Sequence, residues 1–194
     1  MSLFLPGFDE IDIAAPTGAS DEWFTPQWLL DWLPPIALDP CWSPQSSVVA
    51  AAALDVRKGV DGLRVPWGVV LPPLDFPPGL AIVFVNPPYS DCAAWVAKCA
   101  EEARREHFPI VALIPAKPGE VYWHEHVWGV AHAVGFLRGR VPFDTVAGRG
   151  KDAGTFGSAL VVWGSSLRAG QTVATIAARS CSSARRPKWA KFTA

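Results

Sequence analysis

The sequence predicts an α/β protein built on a sheet with parallel pairing and covered by helices. Two observations carry that prediction. The first is a strand–helix–strand unit: the apolar run "AIVFV" from Ala81, the stretch "SDCAAWVAKCAEEARREHF", and a second apolar run "PIVALIPA". Parallel neighbours need a crossover of this length, and the crossover helix then covers a sheet face. The second is that further short apolar runs of buried-strand type recur in "IALDP", "AVGFLRGRVPF" and "FGSALVVWG". Half of the 194 residues are hydrophobic, enough to bury one core.

Taken in order, residues 1–20 form a loose leader rich in Asp, Pro and Gly, and residues 21–166 form the domain. In "SDEWFTPQWLLDWLPP" a short helix starts at Pro26, with Thr25 as its N-cap, and stops at Pro34-Pro35. "IALDPCWSP" is a brief strand ended by Asp39-Pro40. Ser46 to Leu54 is a small-residue helix candidate, with a strand left open by its Ala and Val content. "GVDGLRVPWGVVLPPLDFPPGL" reads as loops with at most a short strand. The crossover helix has Ser90 or Asp91 as N-cap, with Trp95, Val96 and Cys99 on one face and Glu101, Glu102, Arg104 and Arg105 mostly on the other. "VYWHEHVWGVA" is helical, "AVGFLRGRVPF" is a strand running into a basic loop, and "FGSALVVWG" is the last strand. Residues 167–194 turn to Ala, Ser and Arg, a flexible basic tail.

The net charge of −1 announces no partner, but its distribution does. Residues 1–62 hold nine acids against two bases, and residues 138–194 hold ten bases against two acids. Such asymmetry fits a polyanion-binding surface in the C-terminal part, or a basic tail that only solubilises. Cys41, Cys92, Cys99 and Cys181 form no metal-spaced set and read as core residues of a reducing compartment, so no metal is expected. The opening residues resemble neither a signal peptide nor a membrane span, which points to a cytoplasmic protein.

Asn86-Pro87-Pro88-Tyr89 directly follows the "AIVFV" strand. Two consecutive prolines fix two φ angles and remove two donors, so this turn is stiff and unable to pair as a central strand. Asp39-Pro40 ends another strand in the same manner. In open parallel sheets ligands bind beyond the carboxyl ends of strands, so a single site assembled from both ends is the economical inference.

Asn-Pro-Pro-Tyr after an apolar strand resembles the catalytic motif of the S-adenosylmethionine-dependent amino-methyltransferases. "DEWFTPQWL", "LDPCWSP", "DGL", "VFVNPPYS", "ALIPA" and "FLRGRVPF", in unbroken order from Asp21 to Gly164, resemble the phage-type DNA adenine N6-methyltransferases. The resemblance implies a Rossmann-like methyltransferase fold: a mostly parallel central sheet of seven strands, with helices on both faces. It implies methyl transfer from S-adenosylmethionine, released as S-adenosylhomocysteine, to double-stranded DNA. No membrane and no obligate protein partner is implied. The gene would be viral or of prophage origin, acting in the host cytoplasm and marking its DNA against restriction.

The chemistry explains the tetrapeptide. The N6 lone pair of adenine is delocalised into the ring, so it must be aimed at the methyl carbon, and two acceptors do this by holding both N–H groups. Asn86, through its side-chain oxygen, and Pro87, through its carbonyl, are those acceptors. Pro88 stiffens the turn, and Tyr89 stacks on the base, which must be flipped from the duplex. For the cofactor, the resemblance implies Phe24, Thr25 and Pro26 near its carboxylate, Asp39 at its amino group with Pro40 and Cys41 beside it, Asp61, Gly62 and Leu63 around its adenine, and Asn86 again. The family's glycine-rich turn after the carboxylate is replaced here by Pro40-Cys41-Trp42-Ser43-Pro44. Asp55 is a candidate for the ribose hydroxyls, with a solvated surface carboxylate as the plain alternative. Candidates for DNA contact are Lys117, Trp123, His124, Arg138 and Arg140, with Arg149 and Lys151 in the loop "DTVAGRGKDAG". Other readings keep the chemistry on cytosine N4, RNA adenine or a glutamine amide, or keep the fold as a catalytically idle nucleic-acid-binding module. No P-loop occurs.

Overall fold

The computed structural model describes residues 23–71, 81–106, 108–145, 148–153, 156–164 and 172–177. The expected leader and most of the expected tail lie outside them. Among the described residues are nine strands: β1 (Ile36–Asp39), β2 (Ala50–Ala53), β3 (Ile82–Val85), β4 (Ile110–Pro115), β5 (Ala133–Arg138), β6 (Pro142–Thr145), β7 (Gly148–Ala153), β8 (Ser158–Trp163) and β9 (Thr172–Ala177). Four α-helices accompany them: α1 (Gln27–Leu30), α2 (Trp67–Val70), α3 (Cys92–Glu106) and α4 (Val121–His126).

Seven strands form one sheet in the order β2-β1-β3-β4-β8-β5-β9, and β6 and β7 form a separate hairpin. β2, β1, β3 and β4 run parallel to one another, β8 is antiparallel to both of its neighbours, and β5 and β9 are parallel. The chain is therefore a mixed α/β protein with few helices. The strands β1, β3, β4 and β5 all point the same way, so their carboxyl ends share one edge. The start of β8 comes to that edge too, because Ser158 pairs with Pro115.

β3 and β4 are apolar and buried on both faces, as the continuous runs predict. Val83 and Val85 belong to one core, Ile82 and Phe84 to the other. The first core is covered by α2, α3 and α4 through Trp67, Trp95, Val96, Cys99 and Trp123. Over the second lie Leu29 of the four-residue α1 and the segments carrying Leu33, Val48, Val141 and Phe143. Helices thus dominate only one face among the described residues.

Several expectations change. The helix candidate Ser46–Leu54 contains a strand instead. β2 pairs with β1 from Ile36–Ala50 to Asp39–Ala53, and this edge pairing overrides the helix preference of its four alanines. The loop reading of 59–71 misses the short α2. Glu102, assigned to the outer face of α3, is fully buried, because Lys98 Nζ approaches its Oε1 at 2.7 Å and the Trp67 N–H donates to its Oε2 at 3.0 Å. Arg149 and Lys151 lie on β7, in a hairpin rather than a loop. The sheet does not end at β8, since β9 pairs with β5 along six residues inside the stretch expected to be tail. Among the described residues no helix is long and apolar enough to cross a membrane, and no His, Cys, Asp and Glu group suits a metal ion.

Candidate functional site

Asp39 ends β1 and Asn86 follows β3, so the β1–β3 pairing brings both strand ends together. The thiol of Cys41 joins them: Sγ lies 3.3 Å from the main-chain oxygen of Asn86 and 3.6 Å from Oδ1 of Asp39. A thiol has one proton, so it donates to one of the two at a time, and the shorter contact is to Asn86. The Cys41 N–H also donates to Asp39 Oδ1 at 3.1 Å. Asp39 is only 3 % exposed. Burial raises its pKa from the ordinary carboxylate value to about 7, against the lowering effect of the Cys41 N–H. Burial, with the neighbouring Asp39, also keeps the Cys41 thiol protonated.

Asn86 donates through Nδ2 to the carbonyl of Trp23 at 2.5 Å. That bond orients the amide and leaves Oδ1 as the free acceptor, buried and with no hydrogen-bond partner. Pro87 is buried, and Tyr89–Asp91 continue as a 3-10 turn into α3. Tyr89 stands in an aromatic cluster. Trp23 stacks near-parallel to it at 6.3 Å, Phe143 meets its edge at 6.2 Å, and Phe156 is tilted at 5.6 Å. Burial raises the Tyr89 phenol above its usual range, with the Ser158 side chain acting in the opposite direction.

Trp23 to Pro26 are pinned by a two-way bridge: the Phe24 N–H donates to Asp144 O at 2.9 Å and the Asp144 N–H returns to Phe24 O at 3.1 Å. Thr25 does not cap the helix. Pro26 is the N-cap, and no side chain bonds there. The Thr25 hydroxyl is 1 % exposed and has no partner, an orphaned polar group that bulk water does not reach.

The "DGL" segment lies against the Asp39-Pro40 turn. A Cβ on Gly62 would sit 2.0 Å from Pro40 O and 2.9 Å from the Trp95 ring, so only glycine permits this approach. Asp61 accepts the Leu63 N–H at 2.9 Å and pairs with Arg64 at 3.3 Å, and Leu63 packs on the first core. Asp55 is not a solvated carboxylate. It is buried, grips Arg57 through both oxygens at 2.9 and 2.8 Å, and this pairing holds its pKa below the usual value.

Lys117 follows β4 at the same edge, its Nζ 4.6 Å from the centre of the Phe156 ring and so beside the Tyr89 cluster. Arg138 and Arg140 are exposed at the end of β5, around Gly139, whose φ of 87° forms the turn. His124 is exposed on α4. Trp123 is a correction: it is fully buried, stacked on Phe136 at 5.9 Å, and presents nothing to a DNA surface. Missed from the sequence were the Trp23 carbonyl and the rings of Trp23, Phe143 and Phe156. The dense aromatics of "DEWF" and "VPF" were visible, but not their convergence.

A family model described as DNA N-6-adenine-methyltransferase (Dam) matches residues 76–184. The chain belongs to this family. No curated protein and no solved structure matches it. The Dam match takes in Asn86–Tyr89, Lys117, Arg138, Arg140 and the β6–β7 hairpin, and leaves Trp23–Leu71 outside. DNA adenine N6-methylation is the activity of the Dam family, and DNA its substrate. The pairing of Asn86 with the Asp39 turn rests on geometry alone.

Proposed function

We propose that the chain transfers a methyl group from S-adenosylmethionine to the N6 amine of an adenine flipped out of double-stranded DNA, within a Rossmann-like methyltransferase domain. The observation that carries this reading is the Asn86 amide, anchored through its N–H side and leaving a buried, unpartnered oxygen on a proline-stiffened strand end.

S-adenosylmethionine, when bound, supplies a methyl carbon made electrophilic by the sulfonium. The chain's residues fit it. Asp39 is a buried carboxylate that ionises at the expense of its surroundings, and an ammonium would relieve that cost. The orphaned Thr25 hydroxyl, between Phe24 and Pro26, suits a carboxylate. Pro40 and Cys41 would lie beside Asp39 at that ammonium, and Asp61, Gly62 and Leu63 would line the adenine side. Asn86 Oδ1 and the Pro87 carbonyl then hold the two N6 hydrogens of the target, which turns its lone pair toward the methyl carbon. An amide oxygen is no base at neutral pH, so once the sulfonium S–CH3 bond had broken in favour of N–CH3, with S-adenosylhomocysteine as the leaving group, the surplus proton on the nitrogen would pass to water. Tyr89 offers the stacking face. Lys117, Arg138 and Arg140 share the site's edge and are the proposed phosphate contacts, with the exposed His124 and, on β7, Arg149 and Lys151 as further candidates.

The test is incubation of duplex DNA with enzyme and S-adenosylmethionine, digestion to nucleosides and mass spectrometry. N6-methyldeoxyadenosine is expected, falling about 10²–10³-fold for Asn86→Ala with its folded circular dichroism retained. Methylated deoxycytidine instead would move the reaction to cytosine N4. No methylated nucleoside, with no heat of S-adenosylmethionine binding, would leave an idle module.

A further inference from the structure

Position 86 is set by a neighbour that the tetrapeptide does not contain. The Trp23 carbonyl receives the Asn86 Nδ2 hydrogen at 2.5 Å. This carbonyl belongs to the same planar peptide unit as the Phe24 N–H, which is bonded to Asp144 O at 2.9 Å. In a trans peptide the two groups point in opposite directions, so fixing the N–H on β6 fixes the carbonyl on Asn86. An oxygen held there demands a donor.

We infer that the Trp23 main-chain carbonyl makes position 86 selective for a side chain that both donates and accepts, so that an Asp at this position works only when protonated. The inference rests on the proposed function and adds a positioning group to it. The two oxygens of an ionised carboxylate are both acceptors, and one would face the Trp23 carbonyl with no hydrogen between them. The protonated acid restores the pattern: its O–H donates to Trp23, and its carbonyl oxygen takes the place of Oδ1.

The titratable groups around Asn86 are the Cys41 thiol on its main-chain oxygen, the Asp39 carboxylate beyond that thiol and the Tyr89 hydroxyl on its own turn. Asp144 of β6 meets Phe24 through its main chain. Among the described residues no Lys or Arg bonds the Asn86 side chain. Wild type shares all of these groups, so the ratio of variant to wild type cancels their own titration and reads the new carboxyl together with its coupling to Asp39.

The experiment compares Asn86→Asp with wild type between pH 5 and 8.5, in single-turnover methylation of duplex DNA and in thermal melting. The rate ratio should fall with rising pH, by about tenfold per pH unit once above the carboxyl's pKa. The melting gap should widen as pH rises above about 4, the ordinary Asp value, because the folded variant then retains a proton that the unfolded chain has lost. A rate ratio that stays flat with pH, near wild type or near zero, overturns the inference. So does a pH-independent melting gap. The melting arm decides the matter even if wild type methylates nothing, a result that would count against the proposed function alone.

Discussion

At the scale of single residues, Asp39 carries the most direct pH signature. Its folded pKa is about 7 because burial disfavours the charge. The folded chain therefore binds more protons than the unfolded one between roughly pH 4 and 7, and stability falls as pH rises through that window. The loss is complete above the folded value, and about 4 kcal/mol is its ceiling. Asp39→Asn keeps an acceptor for the Cys41 N–H and removes the ionisation. Melting curves should show the variant gaining on wild type from pH 5 to 7.5, then holding a constant lead. A lead already present at pH 5 and unchanged at 7.5 would assign the stability difference to packing instead of charge.

At the scale of elements, the Gly62 contact ties the Asp61–Leu63 segment to the end of β1. Gly62→Ala places a carbon 2.0 Å from a main-chain oxygen, so backbone must move rather than a flexible side-chain tip. A cost of about 1–3 kcal/mol is expected in urea titrations. Gly119→Ala, with nothing within 4 Å of the added carbon, should stay within about 0.5 kcal/mol of wild type. Equal midpoints for the two variants would refute the close approach. The same contact shows where sequence reading stops. "NPPY", "LDP" and "DGL" were legible because proline, glycine and strand-ending acids announce themselves locally. The β3–α3–β4 unit was legible because β3 and β4 are continuous apolar runs and α3 between them is a long amphipathic helix. That Gly62 would meet Pro40, that Trp23 would hold Asn86, and that Trp123 would face inward depend on pairings between distant segments. β2 was ambiguous for another reason: four alanines fit a helix or an edge strand, and only β1 decides between them.

At the scale of the molecule, the sheet separates the site from much of what stabilises it. Asp39, Asn86 and Lys117 follow β1, β3 and β4, whereas β9 closes the far edge beyond β8 and β5. β9 docks through Ile176, 4 % exposed, which fits over Gly135 where a side chain would collide with it. Ile176→Asp buries an unpaired charge and should undock β9, exposing the edge of β5 to pairing with other chains. Losing that burial is worth about 2–3 kcal/mol. The melting temperature should therefore drop by roughly 4–12 °C, with a trend toward aggregation in size-exclusion chromatography. Because β9 pairs with Arg138 at the end of β5 but not with the strands that carry Asp39, Asn86 and Lys117, the variant's methylation rate at 20 °C should remain within about threefold of wild type. A variant with unchanged melting and an unaltered elution profile would show that β9 contributes nothing to stability. Full loss of methylation in a variant still folded at 20 °C would instead tie the far edge to the site and undo the separation argued from strand order.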